Sequence, residues 1–138
     1  MKKIIWPGLV AGFGMLAFGL IWMFLLNLIF PSLQAQYQNI EIFRPWSDPR
    51  MMIYFLYPFL TAVLLAWIWG HIKNSLPGGT LAKKGMNFGF AYWLVASIPG
   101  MFVTYTSFQV SSLMIIGWTV SGLIEAIIAG MIIAKMNK

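Results

Sequence analysis

The sequence has no cysteine, one histidine and only three acidic residues in 138 positions. Without cysteine the chain can form no disulfide, no thiolate metal site and no cysteine nucleophile. The single histidine, His71, would need metal-binding partners that the sequence does not supply. Two of the acids, Glu41 and Asp48, lie near arginines, which is more typical of ion pairs than of a catalytic pair. We therefore predict no metal site, no cofactor and no enzymatic activity.

Charged residues of either sign are scarce. They make up 9% of the chain, whereas a soluble domain typically carries about 25%. Hydrophobic residues make up 60%, and the mean hydropathy is +0.81. One small core cannot bury this much apolar surface, so the remainder must face lipid. The composition predicts an integral membrane protein, with the lipid bilayer as its first partner.

Four apolar runs cover most of the sequence, at about 5–30, 51–70, 86–103 and 111–134. Each approaches the ~20 residues that a helix needs to cross a bilayer. Backbone groups in lipid must bond internally, and no run alternates polar with apolar residues as a barrel strand does. We predict an all-α fold, an integral membrane four-helix bundle forming a single transmembrane domain over residues 1–138. Loops at about 31–50 and 71–84 would join the first three helices.

Positive charge gathers on one side of the predicted helices. The net charge is +6, and three segments on that side carry only basic residues, namely Lys2, Lys3, Lys73, Lys83, Lys84, Lys135 and Lys138. Loop 31–50 instead balances two arginines against two acids. The positive-inside rule then predicts that both termini are cytoplasmic, in a multi-pass protein of a bacterial inner membrane. The lysines are a topology signal and a candidate contact for anionic lipid, and they offer no soluble basic face to nucleic acid.

Small residues recur four positions apart in three of the predicted helices. They are Gly8 and Gly12, then Gly85 and Gly89, and finally Gly122, Ala126 and Gly130. This spacing lets helix backbones approach closely in a membrane. The motif G-x-x-x-G-F at 8–13 and again at 85–90 also hints at two parallel two-helix halves. We expect all seven residues to mark helix contacts, and leucine in the last stripe to destabilise the fold.

Prolines interrupt two of the predicted helices. Pro58 removes a backbone hydrogen bond from the second helix and predicts a kink. Pro99, followed by Gly100, predicts that the third helix breaks and ends soon afterwards. Asp48 has the side chain of a helix cap and predicts the start of the second helix. Loop 31–50 is interpreted as a re-entry turn on the interface, with an outer-face docking loop as the alternative.

One acid, Glu125, lies inside the fourth apolar run, about ten residues from its end. At ~1.5 Å per residue it is ~15 Å deep, close to the bilayer midplane. Thr61 and Ser97 lie at the same depth on other helices, and Ser121 and Trp118 lie one and two turns from Glu125 on its own face. No lysine or arginine shares this level, so a salt bridge within one chain is excluded. We expect the four hydroxyl and carboxyl side chains to form one polar layer.

Three roles for Glu125 are compatible with the sequence. Because an ionised acid in a membrane costs several kcal/mol, the side chain should be neutral, paired or next to water. In the first role, it hydrogen-bonds a hydroxyl or carbonyl group and locks the helices together. In the second role, it faces a partner chain and specifies assembly. In the third role it carries protons or binds a cationic substrate in a transport path.

Two segments carry a resemblance to known proteins: "KGMNFGFAYWL" at the start of the third helix and "GWTVSGLIEAIIAGMIIAK" in the fourth. With them the whole chain resembles the small four-helix bacterial membrane proteins classed as domains of unknown function. This resemblance implies the architecture and no activity. Small multidrug transporters also combine four helices with one membrane glutamate, but their acid is in the first helix, where this chain has none. That departure argues against drug export of the same type.

The predicted function is non-enzymatic, and an enzyme acting on a lipid-like substrate is kept as a third alternative. The chain would be an accessory or scaffolding subunit, or a module that binds an apolar small molecule, with other membrane subunits or a second copy as partners. The alternative is a small proton-coupled transporter that acts as a dimer and uses Glu125 as its coupling acid. A subunit should co-purify with another protein, whereas a transporter should work alone in vesicles and depend on pH.

Overall fold

The computed structural model describes residues 2–138 and contains helices but no strand in that range. Its five helices are α1 (Lys2–Ile29), α2 (Pro31–Tyr37), α3 (Pro49–Ile72), α4 (Leu81–Ser107) and α5 (Ser112–Met136). All except the short α2 are long and apolar enough to cross a membrane. The prediction of an all-α chain with four apolar spans is confirmed, and it indicates a multi-pass membrane protein.

The four long helices pack side by side, and α5 has the most neighbours. It contacts α1, α3 and α4, and α1 also packs along α3. α3 and α4 make no comparably extended contact with each other. They meet through individual side chains, such as the Trp69 and Phe88 rings, whose centroids are 5.5 Å apart.

The first residues of α1 and the last residues of α5 lie at the same end of the long helices, which we call the terminal end. There the Asn137 side chain donates from Nδ2 to the Lys3 carbonyl oxygen at 2.9 Å. The Trp69 indole donates to the Asn137 carbonyl oxygen at 2.8 Å. Asn137 therefore ties the end of α5 to both α1 and α3. The opposite end carries residues 30–48 and 108–111, and we call it the loop end.

Leu33 of α2 and Met114 of α5 are buried near the loop end, but the main cluster of buried apolar side chains lies in the half of the helices nearest the terminal end. Its buried side chains are Ala11, Met15, Ala62, Leu65, Ala66, Trp69, Phe88, Ala129, Ile133 and Ala134. Toward the loop end, no residue of α4 over 90–107 is buried, and none of α1 over 16–29. The helices are therefore tightly packed at the terminal end and loosely packed toward the loop end.

Glycine lets α1 and α3 meet through backbone atoms. A Cβ added at Gly8 would lie 2.6 Å from Val63 Cα, and one added at Gly12 would lie 2.7 Å from Phe59 Cα. Real Cβ atoms do not come closer than about 3.0 Å to such neighbours. A residue larger than glycine at either position would push the two helices apart.

The same arrangement joins α4 to α5. A Cβ added at Gly85 would lie 2.6 Å from the Gly130 carbonyl oxygen, and one added at Gly89 would overlap the Ala126 carbonyl. In each pair of helices, the two glycines of one helix contact residues four positions apart on the other. The chain therefore contains two helix pairs, α1 with α3 and α4 with α5, that use the same contact near the terminal end.

Pro58 is accommodated by a change in helix winding. The first part of α3 is a 3₁₀ helix over Pro49–Leu56, and the α-helical part covers Tyr57–Ile72. Pro58 therefore lies in the first turn of the α-helical part, where its missing N–H has no helical partner to lose. Asp48 caps the start of the 3₁₀ segment by accepting a hydrogen bond from the Arg50 backbone N–H.

The predicted break of the third helix at Pro99 is wrong, because α4 continues to Ser107. A π-helical turn over Trp93–Ser97 ends two residues before the proline. A proline inside an α-helix leaves one carbonyl without its N–H donor, and its ring clashes with the carbonyl four residues earlier. The wider turn changes which carbonyls lie behind the ring, so the helix continues through the proline.

The segment between α1 and α3 folds back over the loop end. The Tyr37 hydroxyl, at the end of α2, accepts a hydrogen bond from the Trp118 indole of α5 at 2.7 Å. Asp48 accepts hydrogen bonds from the side chains of Arg50 and Arg44, each at 2.8 Å. These hydrogen bonds, Arg50 first, hold the pKa of the Asp48 carboxyl well below its usual range. One aromatic contact and one charged cluster therefore order this segment.

Candidate functional site

Glu125 lies next to the middle of the 25-residue helix α5 and is partly exposed. The Ser121 hydroxyl, one turn earlier on the same face, donates a hydrogen bond to Glu125 Oε1 at 2.6 Å. This contact joins two of the residues that the sequence places in a polar layer. It also satisfies only one of the two carboxyl oxygens, since no other hydrogen bond to Glu125 occurs within residues 2–138.

Helix α1 makes room for the carboxyl group at Gly19. A Cβ added there would lie 3.2 Å from Glu125 Oε1, so the carboxyl rests directly against the α1 backbone. Sequence reasoning did not assign Gly19 to this site. One feature of the sequence could have indicated it. A glycine in the middle of an apolar helix costs about 1 kcal/mol relative to alanine, so its presence there points to close packing against a neighbour.

The other two long helices carry tyrosines in the same region of the structure. Tyr54 of α3 and Tyr92 of α4 are near enough for long-range electrostatic interaction with Glu125, but neither hydrogen-bonds to it within residues 2–138. The direct contacts of the carboxyl group are therefore Ser121 on its own helix and the α1 backbone at Gly19. The two ion pairs found among residues 2–138 both belong to Asp48, so no cation pairs with Glu125 within the described chain.

Thr61 and Ser97 are at the expected depth but do not join the hydrogen-bonded pair. Both are partly buried, and neither hydrogen-bonds to Glu125 in the part of the chain that the structure describes. Ser97 lies instead beside Gly122, where an added Cβ would be 3.3 Å from its hydroxyl oxygen. Gly122 therefore faces the Ser97 side chain, which can rotate away, and not the backbone of another helix. Ala126, the next small residue of the stripe, is completely buried.

Trp118 points away from Glu125 toward the loop end. Its indole is bonded to Tyr37, and its ring also meets Phe43 edge to face, with centroids 6.2 Å apart. Burial raises the pKa of the Tyr37 phenol, an effect that the Trp118 hydrogen bond partly offsets. Trp118 thus anchors the segment between α1 and α3, and it makes no hydrogen bond to the acid within residues 2–138.

Two other tryptophans hold the loosely packed half together. The Trp22 indole of α1 donates to the Gly117 carbonyl oxygen at 3.0 Å, and the Trp93 indole of α4 donates to the Thr119 carbonyl oxygen at 2.9 Å. Both acceptors are on α5, between Glu125 and the loop end. The helices around the acid are thus linked by side-chain hydrogen bonds where close backbone packing is missing.

The chemistry available at this site is that of one carboxyl group in a mostly apolar surround. Such a group can hold a proton, accept a hydrogen bond or pair with a cation. Across residues 2–138, no group of three or more histidine, cysteine, aspartate or glutamate side chains comes together.

Comparison with protein-family models, with curated proteins and with solved structures finds no match to this chain. The site must therefore be interpreted from its own residues.

Proposed function

We propose that this protein is a non-enzymatic membrane protein that binds a small, largely apolar molecule between its helices and contacts the polar end of that molecule through Glu125. The observation that carries the proposal is the unpaired acid itself. It lies at mid-length of α5, rests against the α1 backbone at Gly19 and has a single hydrogen-bond partner, Ser121, within residues 2–138. An ionised carboxylate inside a membrane is unfavourable in free energy, and binding a proton or a cationic group would offset that cost.

Loose packing on one side of the acid supports this proposal. The helix segments around Glu125 toward the loop end contain few buried residues, and α3 and α4 make no extended contact there. At the terminal end the Trp69 and Phe88 rings and the glycine contacts close the structure. A ligand would therefore enter from the loop end or from the lipid between α3 and α4.

A bacterial inner membrane with both termini in the cytoplasm is part of the same proposal. The support is that seven lysines lie at or near the terminal end, whereas the loop end has two arginines and two acids. Because the chain has no cysteine, single cysteines at Ser75 and Ser47 are clean probes of orientation. A membrane-impermeant maleimide should label position 47 in intact cells and position 75 only after lysis. The reverse pattern would contradict this orientation.

Proton-coupled transport by a dimer is the second candidate. The observation that favours it is the difference between the two ends, since a structure closed at one end and loose at the other resembles one half of an alternating-access cycle. Glu125 is the only acid in the four spans, so it would be the coupling group. In purified vesicles, uptake that depends on a pH gradient and disappears in Glu125→Gln would support transport over simple binding.

The deciding experiment is purification from the native membrane in mild detergent, followed by native mass spectrometry. Wild-type protein should retain a small molecule that Glu125→Gln loses. Glu41→Gln is the matched control, because it removes the same charge from an exposed residue near the loop end. Equal retention in both variants would contradict a role for Glu125 in binding. A foreign protein at fixed ratio, with no small molecule, would instead identify an accessory or scaffolding subunit.

A further inference from the structure

A groove at the terminal end lies between the first turn of α4 and the last turns of α5. Its volume is about 430 Å³, and it is lined by Leu81, Ala82, Met131, Ile132, Lys135 and Lys138. Two of these residues are large exposed hydrophobics, since Leu81 is 40% and Met131 39% exposed. The groove is far along α5 from Glu125 and shares no residue with the candidate site.

Two nearby lysines have hydrogen-bond partners for their ammonium groups, whereas the lysines of this groove have none within residues 2–138. Lys73 donates from Nζ to the Lys138 carbonyl oxygen at 2.6 Å, and Lys84 donates from Nζ to the Lys73 carbonyl oxygen at 3.2 Å. Those two ammonium groups are occupied in holding the terminal end together. Within residues 2–138, no hydrogen bond or ion pair engages the ammonium groups of Lys135 and Lys138.

The first turn of α4 adds positive character on the other side of the groove. Thr80 caps this helix by accepting a hydrogen bond from the Lys83 N–H at 3.2 Å. The N–H groups of the first turn point out of the helix, and its dipole favours a negative group nearby. Lysine ammonium groups and a helix N-terminus therefore flank the same apolar groove.

We propose that this groove binds one anionic phospholipid from the membrane leaflet at the terminal end. The headgroup phosphate would pair with Lys135 and Lys138, and an acyl chain would follow Leu81, Met131 and Ile132 toward the membrane interior. This occupant matches both the charge and the apolar lining, at the depth where the spans leave the membrane. A helix of a partner protein fits less well, because its apolar face would use the lining of the groove and leave the two ammonium groups without a negative partner.

The proposal is tested by titrating the purified protein in neutral detergent with phosphatidylglycerol and, separately, with phosphatidylcholine of the same acyl chains. Native mass spectrometry counts the lipids bound. Wild type should retain one phosphatidylglycerol under conditions that remove phosphatidylcholine. The double variant Lys135→Gln, Lys138→Gln should bind phosphatidylglycerol about 30-fold more weakly. Inorganic phosphate at millimolar concentration should not displace the lipid, because it cannot fill the apolar part.

Two further variants separate a defined site from diffuse attraction. Lys2→Gln with Lys3→Gln removes the same charge at the same end but leaves the groove intact, so binding should change little. Ala82→Trp fills the groove without changing charge and should weaken binding. An equal loss in both double variants, or unchanged binding in Ala82→Trp, would overturn the proposal. So would equal retention of the two lipids by the wild type. The outcome is independent of Glu125, which all of these variants retain.

Discussion

Replacing Gly85 with alanine should force α4 and α5 apart. The added Cβ would stand 2.6 Å from the Gly130 carbonyl oxygen and 3.0 Å from Ala134 Cβ. Ordinary contact begins at 3.4 Å, so the helices must separate by about 0.8 Å, the difference between 3.4 and 2.6 Å. The carbonyl oxygen belongs to a helix backbone and cannot rotate away. The whole helix contact therefore takes up the displacement.

The cost follows from the packing that this displacement loosens. A gap of about 0.5–1 Å forfeits a quarter to a half of the attraction between each pair of facing atoms. Overpacking a tight site typically costs about 1–3 kcal/mol, and replacing glycine with alanine in a helix offsets up to about 1 kcal/mol of it. We expect the free energy of unfolding to fall by roughly 1–2 kcal/mol.

Gly100 provides a matched control in the same helix. No atom lies within 4 Å of a Cβ added there, so Gly100→Ala keeps the gain in helix propensity and makes no clash. The assay heats the detergent-purified protein and measures the folded fraction by size-exclusion chromatography. A change of 1 kcal/mol moves the midpoint by about 2–8 °C for chains near this size. Gly85→Ala should melt below the wild type and Gly100→Ala at or above it.

Equal thermal midpoints in Gly85→Ala and Gly100→Ala would refute the predicted contact. Equal midpoints at the wild-type value would mean that α4 and α5 do not touch through Gly85. A similar fall in both would mean that glycine matters in α4 for a reason other than close contact.

The remaining predictions concern the loop end. Trp118→Phe removes the hydrogen bond to Tyr37 and should lower the free energy of unfolding by about 1 kcal/mol, and a thermal midpoint equal to that of the wild type would contradict it. The second prediction concerns pH. Hydrogen bonds from Arg50 and Arg44 lower the folded-state pKa of Asp48, so its contribution to loop order is present above the unfolded pKa of about 4 and is lost as pH falls toward the folded pKa. Amide exchange in residues 40–48, corrected for intrinsic rate, should become faster at pH 3 than at pH 7 in the wild type, and Asp48→Asn should already exchange fast at pH 7.

The sequence was sufficient for features that depend on composition over long stretches. Four apolar runs predicted four helices because a bilayer demands about 20 apolar residues with internally bonded backbone. The four long helices of the structure agree with that demand. G-x-x-x-G spacing at Gly8 and at Gly85 also indicated where backbones come close, because only small residues permit it.

Features that depend on rotation about a helix axis escaped prediction. Counting residues gives the depth of Thr61 and Ser97 but not the direction in which each side chain points. Ser121 bonds to Glu125 because both lie on one helix, where the four-residue spacing fixes the direction. Gly19, on another helix, reaches the acid through a crossing of helices that no local pattern encodes.

Local backbone geometry was the other source of error. Proline at position 99 predicted a break because an α-helix cannot accommodate it without cost. The structure avoids the cost with a wider turn, Trp93–Ser97, for which the sequence carries no recognised signal. The Trp93 indole, in the first residue of that turn, donates a hydrogen bond to the Thr119 carbonyl oxygen and so fixes the turn against α5.

The central position of α5 has a consequence for biosynthesis. It is the last of the four long helices to leave the ribosome, yet α1, α3 and α4 all pack on it. α1 and α3 can pair early through Gly8 and Gly12, whereas the glycine face of α4 has only lipid beside it until α5 is inserted. Packing of these four helices is therefore completed only when α5 is inserted. A chain interrupted before Ser112 would leave α4 without its partner and exposed to membrane quality control.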